Sequence, residues 1–295
     1  MAQQARENPR LAALLIIAAS AFIAGTMLFA KMLGTASFGA PLHPLQITFG
    51  RFFFAFLAIS LTCAVMRPKI ETIHWRYHIG RTTFGWMGVS MMFASVAYIP
   101  LADATAISFL NPVFAMMFAI PLLGEQVGRW RWIAAGISLV GAMILLRPTP
   151  DSFQPAALIA LTAAVAMGVA LTFIRRLATR EAPLQVLLIN NGLGVLIASC
   201  TVIFVWQTPT LAQVMLMAGV GFVMATAQAF FVNGMARADA SFVAPFSYAT
   251  LLFAALYDLV FYAVQPDGVT MIGAAVIIAG ALLLAYREAR KPPRA

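Results

Sequence analysis

Apolar residues occur in ten long stretches along the chain, and short polar segments separate one stretch from the next. Each stretch is close to the roughly 20 residues that a helix needs to cross a bilayer. The pattern therefore predicts an all-α integral membrane protein with ten transmembrane helices. We expect the first stretch to be a retained helix, because it lacks a small-residue cleavage site followed by a mature domain. The stretches are Leu11–Leu33, Leu45–Met66, Tyr77–Tyr98, Ala102–Leu123, Trp130–Leu146, Pro155–Leu177, Leu184–Trp206, Leu211–Met235, Ala240–Val264 and Val269–Tyr286.

A short motif of the first half returns in the second half. Pro44-Leu45-Gln46-Ile47 recurs as Pro183-Leu184-Gln185-Val186, about half the chain length later. The recurrence predicts two repeats, residues 1–148 with spans 1–5 and residues 149–295 with spans 6–10. Because each repeat holds an odd number of spans, the two repeats are inverted relative to each other in the membrane. Inverted repeats are typical of alternating-access transporters.

Composition and charge support a membrane protein and define its orientation. The 295 residues are 62% hydrophobic and 10% charged, whereas a soluble domain carries about 25% charged residues. If the N-terminus is cytoplasmic, Arg147 alone lies on the opposite side and only Lys31 and Arg51 fall within spans. All other basic residues, Arg81 among them, then lie at cytoplasmic ends. This bias predicts a bacterial inner-membrane protein with both termini in the cytoplasm, and it explains the +9 net charge without nucleic acid.

Two segments of the chain carry a family resemblance. Tyr98–Pro112, followed by Leu123-Gly124-Glu125, resembles the EamA branch of the drug/metabolite transporter superfamily. The similarity continues at Gly136, Gly141, Arg147-Pro148, Ala238–Ala240, Ala244–Tyr248 and Gly273–Gly280. The resemblance implies ten helices in two inverted five-helix repeats and transport of a small metabolite. Similar proteins move S-adenosylmethionine, riboflavin or amino acids.

The sequence departs from this family pattern at two places. Family members usually end the ninth span with a pair like Gly124-Glu125, but this chain has Phe261-Tyr262-Ala263-Val264 there. Ser247 stands where similar proteins often carry an arginine. The missing acid argues against a strongly cationic substrate.

The sequence shows no constellation of residues typical of an enzyme. The three histidines, His43, His74 and His78, lack the spacing of metal ligands. We find no phosphate-binding glycine loop, so we expect no catalytic site, metal or cofactor. A membrane-embedded enzyme, a channel or a structural membrane partner remain the alternatives. The interpretation we favour is a secondary active transporter of a small amino acid, vitamin or nucleoside-like solute, acting by alternating access as a monomer or homodimer in the lipid bilayer.

Three ionisable residues inside spans are candidates for gating or ion coupling. Lys31, Arg51 and Asp258 lie at similar depth near one membrane face, and Tyr257 adjoins Asp258. Charges inside a bilayer need a partner or a water-lined cavity. We therefore expect Asp258 to pair with Arg51 or Lys31 at a gate, or to act as a carrier of coupled protons. Lys31 has an alternative, because its long stem can reach the interface without a partner.

Neutral polar and aromatic residues inside spans are the candidates for substrate binding. Pro112 removes a backbone donor and predicts a kink next to Asn111, and Pro245 occupies a comparable position near Tyr248 in span 9. Each amide side chain has an alternative role in an interhelical hydrogen bond, which contributes about 0.6 kcal/mol. The aromatic members suit stacking on a flat solute. The candidates are Trp86, Asn111, Asn190, Asn191, Gln228, Ser247 and Tyr248.

Overall fold

The predicted helical architecture is confirmed in a computed structural model, which describes residues 9–124, 128–146, 154–178, 180–235, 237 and 246–289. Within those ranges the regular structure is helical, and no strand occurs. The expected boundary between the repeats, at residues 148 and 149, lies outside the described residues. The helices are α1 Pro9–Gly34, α2 Pro44–Met66, α3 Trp75–Val96, α4 Leu101–Ser108, α5 Asn111–Leu123, α6 Arg129–Leu146, α7 Pro155–Ala178, α8 Pro183–Val202, α9 Leu211–Met235, α10 Ala249–Tyr262 and α11 Gly268–Ala289.

Six of the described segments are long and apolar enough to cross a membrane by length and composition. They are Arg10–Gly34, Pro44–Met66, Leu101–Leu122, Pro155–Ile174, Pro183–Val202 and Leu211–Gly234. Proline stands in the first turn of α2 and α8, where its missing N–H leaves no intrahelical bond unmade. At the start of α2, His43 Nδ1 also accepts a hydrogen bond from the Leu45 amide at 3.3 Å. The six long apolar helices make this a multi-pass membrane protein.

The fourth predicted span is broken at its middle. Helix α4 ends at Ser108 and α5 begins at Asn111, with two turn residues between them. Pro112 has no amide hydrogen, and its ring collides with the carbonyl four residues earlier in a continuous helix. The kink predicted beside Asn111 is confirmed.

The ninth predicted span is also interrupted. Residues 246 and 247 are helical, Tyr248 is in a turn, and α10 begins at Ala249. The ring of Tyr248 meets the ring of Phe109, which lies in the break of span 4, with centroids 4.8 Å apart and planes at 75°. The two helix breaks therefore contact each other. Pro245 and the segment Ala238–Ala240 lie outside the described residues.

Helices of the two halves pack against each other in a symmetric pattern. Helix α3 packs on α7, α1 on α9, α2 on α8, and α6 on α11. In span numbers these pairs are 3 with 6, 1 with 8, 2 with 7, and 5 with 10, and exchanging the halves reproduces the same set. A Cβ on Gly141 would lie 2.7 Å from the backbone nitrogen of Ile277, so α6 and α11 approach this closely because the residue is glycine. The two inverted repeats thus form one intertwined bundle.

Candidate functional site

A cavity of about 150 Å³ lies between helices of the two halves. Its polar lining consists of Arg51 from α2, Arg81 from α3, Asn190 from α8 and Gln228 from α9. Apolar residues of α3 and α7 complete much of the wall. Each repeat therefore contributes two helices with polar side chains to the same space.

Two buried guanidinium groups dominate the charge of this cavity. Arg51 is 6% exposed and Arg81 is 8% exposed. The guanidinium of Arg51 lies over the ring of Phe52, 4.5 Å from its centroid, and its Nε and Nη1 have no hydrogen-bond partner among the described residues. Arg81 Nη1 donates to the carbonyl oxygen of Val186 at 3.0 Å. The cavity is positively charged.

Two side-chain amides face the same cavity. Asn190 Oδ1 accepts a hydrogen bond from Thr82 Oγ1 at 3.2 Å, which directs its NH₂ group away from that contact. Gln228 Oε1 is buried and has no partner in the described part of the chain. Arg51, Asn190 and Gln228, which the sequence proposed separately, are therefore brought together in one place.

Arg81 is a member of this cavity that the sequence interpretation missed. The charge pattern had assigned it to a cytoplasmic end, but the residue lies within α3 and its side chain is buried. The helix begins at Trp75, so Arg81 lies more than one turn inside it. Its position beyond the first turn of an apolar helix was the available signal.

A buried ion pair joins α1 to α10. Lys31 Nζ lies 2.9 Å from Asp258 Oδ1, with side-chain exposures of 9% and 1%. Asp258 Oδ2 also accepts a hydrogen bond from the amide of Ala102 at 3.1 Å, at the start of α4. The Lys31 ammonium lies 4.4 Å from the ring centroid of Tyr262. Lys31 therefore pairs with Asp258 inside the protein instead of reaching the membrane interface. Arg51, the other expected partner of Asp258, lies in the cavity between the repeats.

The other candidate residues lie outside both of these sites. Trp86 Nε1 and Asn111 Oδ1 are buried without a partner among the described residues. Asn191 donates to the carbonyl of Leu187 at 2.8 Å, within α8. The Ser247 carbonyl accepts from Ser20 Oγ at 3.4 Å, and Tyr257 Oη donates to the carbonyl of Ala21 at 3.3 Å. The contacts of Ser247 and Tyr257 connect span 9 to span 1.

The glutamine of the repeated Pro-Leu-Gln motif makes the same contact in both halves. Gln46 donates to the carbonyl of Gln207 at 2.7 Å and accepts from the Gln207 amide at 3.1 Å. Gln185 likewise accepts from the Glu71 amide at 2.8 Å and donates to the Glu71 carbonyl at 3.3 Å. We call each pair of bonds a glutamine latch. Each latch binds a helix start in one half to a connecting segment of the other half.

The Gln185 latch is reinforced by a buried carboxylate, a second feature that sequence reasoning missed. Glu181 Oε1 accepts from the His74 amide at 2.8 Å, and Glu181 Oε2 lies 2.8 Å from His78 Nε2 and 2.9 Å from Gln185 Nε2. Burial raises the pKa of Glu181, but the hydrogen bonds from His78 and His74 outweigh burial and lower this pKa to about 2. Glu181 is therefore a carboxylate at neutral pH. Among the described residues, no cluster of three or more His, Cys, Asp or Glu side chains is placed to hold a metal ion.

Comparisons with known proteins place this geometry in a family context. The model of the EamA-like transporter family matches residues 10–147 and again residues 154–286. A riboflavin transporter of Rhizobium johnstonii is 33% identical over 225 residues, which cover 74% of this chain and 72% of that protein. An S-adenosylmethionine uptake transporter of Rickettsia bellii is 26% identical and covers 85% of this chain and 86% of its own. The pseudopaline exporter CntI of Pseudomonas aeruginosa is 26% identical and covers 69% and 72%.

A solved crystal structure also aligns with the fold. It covers 97% of this chain and 100% of its own chain, with a TM-score of 0.59 and 20% sequence identity. At that identity the likeness concerns the fold alone.

Proposed function

The chain belongs to the EamA-like transporter family, and we propose that it moves a small organic metabolite across a bacterial inner membrane by alternating access. It is a membrane transporter rather than an enzyme. The observation that carries the mechanism is the cavity between the repeats, to which α2, α3, α8 and α9 each contribute a polar side chain. Substrate sites of inverted-repeat transporters lie at the interface between the repeats.

Arg51, Arg81, Asn190 and Gln228 form the substrate site in this proposal. The cavity of about 150 Å³ is smaller than the roughly 300–1,000 Å³ of pockets for drug-sized ligands. It therefore holds part of a solute in the state that the structure represents. A wider site forms when one end of the bundle opens.

The remaining candidates lie on the path that such opening would create. Asn111 and Tyr248 stand at the two helix breaks, where the backbone bends most easily, and Ser247 precedes Tyr248. Trp86 and Asn191 carry buried polar atoms without partners in the described residues. We propose that these side chains meet the solute once the halves move apart.

The Lys31–Asp258 ion pair acts as a gate brace in the proposed mechanism, and Tyr257 precedes Asp258 in α10. Asp258 accepts hydrogen bonds from both Lys31 and the Ala102 amide, which favours a structural carboxylate over a proton carrier. Protons stay a candidate coupling ion, carried by a group other than Asp258. We further propose that the repeats comprise residues 1–148 and 149–295, that both termini are cytoplasmic, and that the chain works as a monomer or homodimer.

Solute uptake into proteoliposomes tests the proposed function. Purified full-length protein is reconstituted, and uptake of labelled riboflavin, S-adenosylmethionine, amino acids and nucleosides is measured. We expect saturable uptake of one solute class, and a lower rate for Asn190→Leu, which removes a cavity amide. The exposed substitution Lys69→Gln serves as the control and leaves uptake unchanged. Passage that never saturates indicates a channel, and chemical conversion of a solute indicates an enzyme.

A further inference from the structure

The cavity between the repeats holds two cationic side chains and no described acidic one. Its polar lining is Arg51, Arg81, Asn190 and Gln228. The buried carboxylates described elsewhere are already engaged, Asp258 with Lys31 and Glu181 with two histidines. No protein group on the described wall of the cavity therefore neutralises the two guanidinium groups.

The hydrogen-bonding capacity of these groups is largely unused. A guanidinium carries five N–H donors in a planar fork. Arg51 Nε and Nη1 have no acceptor among the described residues, and Arg81 donates through Nη1 to the Val186 carbonyl at 3.0 Å. Both side chains are more than nine-tenths buried. Donors in this number imply an acceptor that is not part of the described protein.

Burial of two like charges without a counter-charge is unfavourable. Moving an ion out of water is unfavourable unless the ion is paired and hydrogen-bonded, and charged side chains at membrane depth usually mark a substrate or ion pathway. Contact of Arg51 with the Phe52 ring offsets only part of this cost, since a cation gains less over an aromatic ring than it loses on burial. An anionic ligand would satisfy both charges at once.

We propose that the transported solute carries a carboxylate or phosphate group, and that Arg51 and Arg81 bind this group in the cavity. The inference deepens the proposed function and rests on it. Planar guanidinium forks match the oxygens of carboxylates and phosphates. Asn190 has its Oδ1 engaged by Thr82, so it offers N–H donors, and Gln228 supplies a second amide. Because the cavity is small, it holds the anionic group while the rest of the solute lies beyond.

Anion binding to the purified full-length protein in maltoside detergent tests the inference. The melting temperature is measured against rising inorganic phosphate or acetate at constant ionic strength, with chloride as the reference anion. We expect phosphate or acetate to raise it, since a ligand that binds only the native state stabilises that state. Arg51→Gln and Arg81→Gln should each weaken binding about tenfold or more, as expected for loss of a charge-assisted hydrogen bond. Lys69→Gln, an exposed substitution with the same charge loss, should bind as the original protein does.

A second variant keeps the test decisive even where binding is weak. Arg51→Met replaces the unpaired guanidinium by an apolar side chain, and removing a buried unpaired charge stabilises a protein. We expect a higher melting temperature without added anion, together with loss of the anion-dependent rise. A lower melting temperature and a retained rise would show that Arg51 is structural.

Each remaining outcome either supports or overturns the assignment. An equal effect of chloride and phosphate would overturn it in favour of general counter-ion binding. An Arg51-dependent shift produced only by added phosphatidylglycerol would assign the cavity to a lipid headgroup. Saturable transport of a neutral solute at a rate that Arg51→Gln does not change would overturn the anion site. The proposed transport function would then still hold. Anion binding without transport of any anion would keep the site and count against transport.

Discussion

Asp258 is held by polar groups from two other helices. Lys31 supplies an ammonium at 2.9 Å and the Ala102 amide donates at 3.1 Å. The three residues lie on α10, α1 and α4, so one carboxylate connects three helices. Removing a single partner leaves the other charge buried, which is more damaging than replacing both partners by apolar groups.

We predict that Lys31→Met destabilises the protein by about 3–5 kcal/mol, because the 1% exposed Asp258 then lacks its counter-charge. The double variant Lys31→Met/Asp258→Leu should recover much of this loss, since no buried charge remains. Thermal unfolding of the purified protein measures both effects. Equal stability of the single and double variants would contradict the ion-pair role.

Transport by Asp258→Asn that is still proton-driven would exclude Asp258 as the proton carrier.

The Glu181 network makes stability depend on pH in an acidic window. The pKa of Glu181 is lowered from 4.5 to about 2 in the folded protein. Such a group contributes stability above its unfolded pKa and loses that contribution as pH falls toward its folded pKa. We therefore expect the stabilising effect of Glu181 over Glu181→Gln to be present above about pH 4.5 and to shrink from about pH 4.5 to about pH 2.

Melting temperatures of the original protein and Glu181→Gln across this range measure the effect. Glu71→Gln is a suitable control, because Glu71 joins the network through its backbone amide and carbonyl. A difference between original and Glu181→Gln that stays unchanged down to pH 2 would show that the histidine contacts do not depend on the Glu181 charge.

At the scale of elements, the two glutamine latches connect each half to a loop of the other. Both glutamines lie in the first turn of a helix, two residues after the proline that begins it. Both pair with backbone N–H and C=O groups as a neighbouring strand would. The Gln185 latch carries an added bond from Gln185 to Glu181. The same pair of backbone contacts therefore connects the halves at two places, and the Gln185 latch has one more hydrogen bond.

We predict opposite local effects from Gln46→Ala and Gln185→Ala. Gln46→Ala removes two hydrogen bonds and Gln185→Ala removes three, each of about 1 kcal/mol. A loss of 1–2 kcal/mol changes an opening equilibrium by roughly 5–30-fold, so the effect of Gln185→Ala should be the larger. Hydrogen exchange should rise at the Gln207 amide in the first variant and at the Glu71 amide in the second. Each variant is the control for the other. Exchange that rises at both amides in both variants would mean that the ends do not open separately.

At the scale of the whole molecule, the distribution of basic residues predicts which ends of the bundle face the cytoplasm. In a background without Cys63 and Cys200, Thr208→Cys should react with a membrane-impermeant maleimide in intact cells. Lys69→Cys should react only after lysis, because the α2–α3 connection is then cytoplasmic. The reverse labelling pattern would invert the proposed orientation.

The fold was predictable from the sequence because its causes are local along the chain. Runs of about 20 apolar residues predict spans, an odd count per repeat predicts inversion, and Pro112 predicts the break between α4 and α5. The repeated Pro-Leu-Gln motif pointed to related positions, although the backbone contacts of Gln46 and Gln185 were not foreseen. Each glutamine meets a loop that is distant in sequence.

The sequence by itself determined the helical class of the fold, the apolar stretches and the residue types within them. Only the tertiary structure decided that Asp258 pairs with Lys31, and that Arg51 instead shares a cavity with Arg81, Asn190 and Gln228. The hydropathy pattern indicates how deep in the membrane a residue lies, but it does not indicate which neighbouring helix the side chain faces. Partners depend on the rotation and tilt of each helix, and the packing of all neighbouring helices sets both.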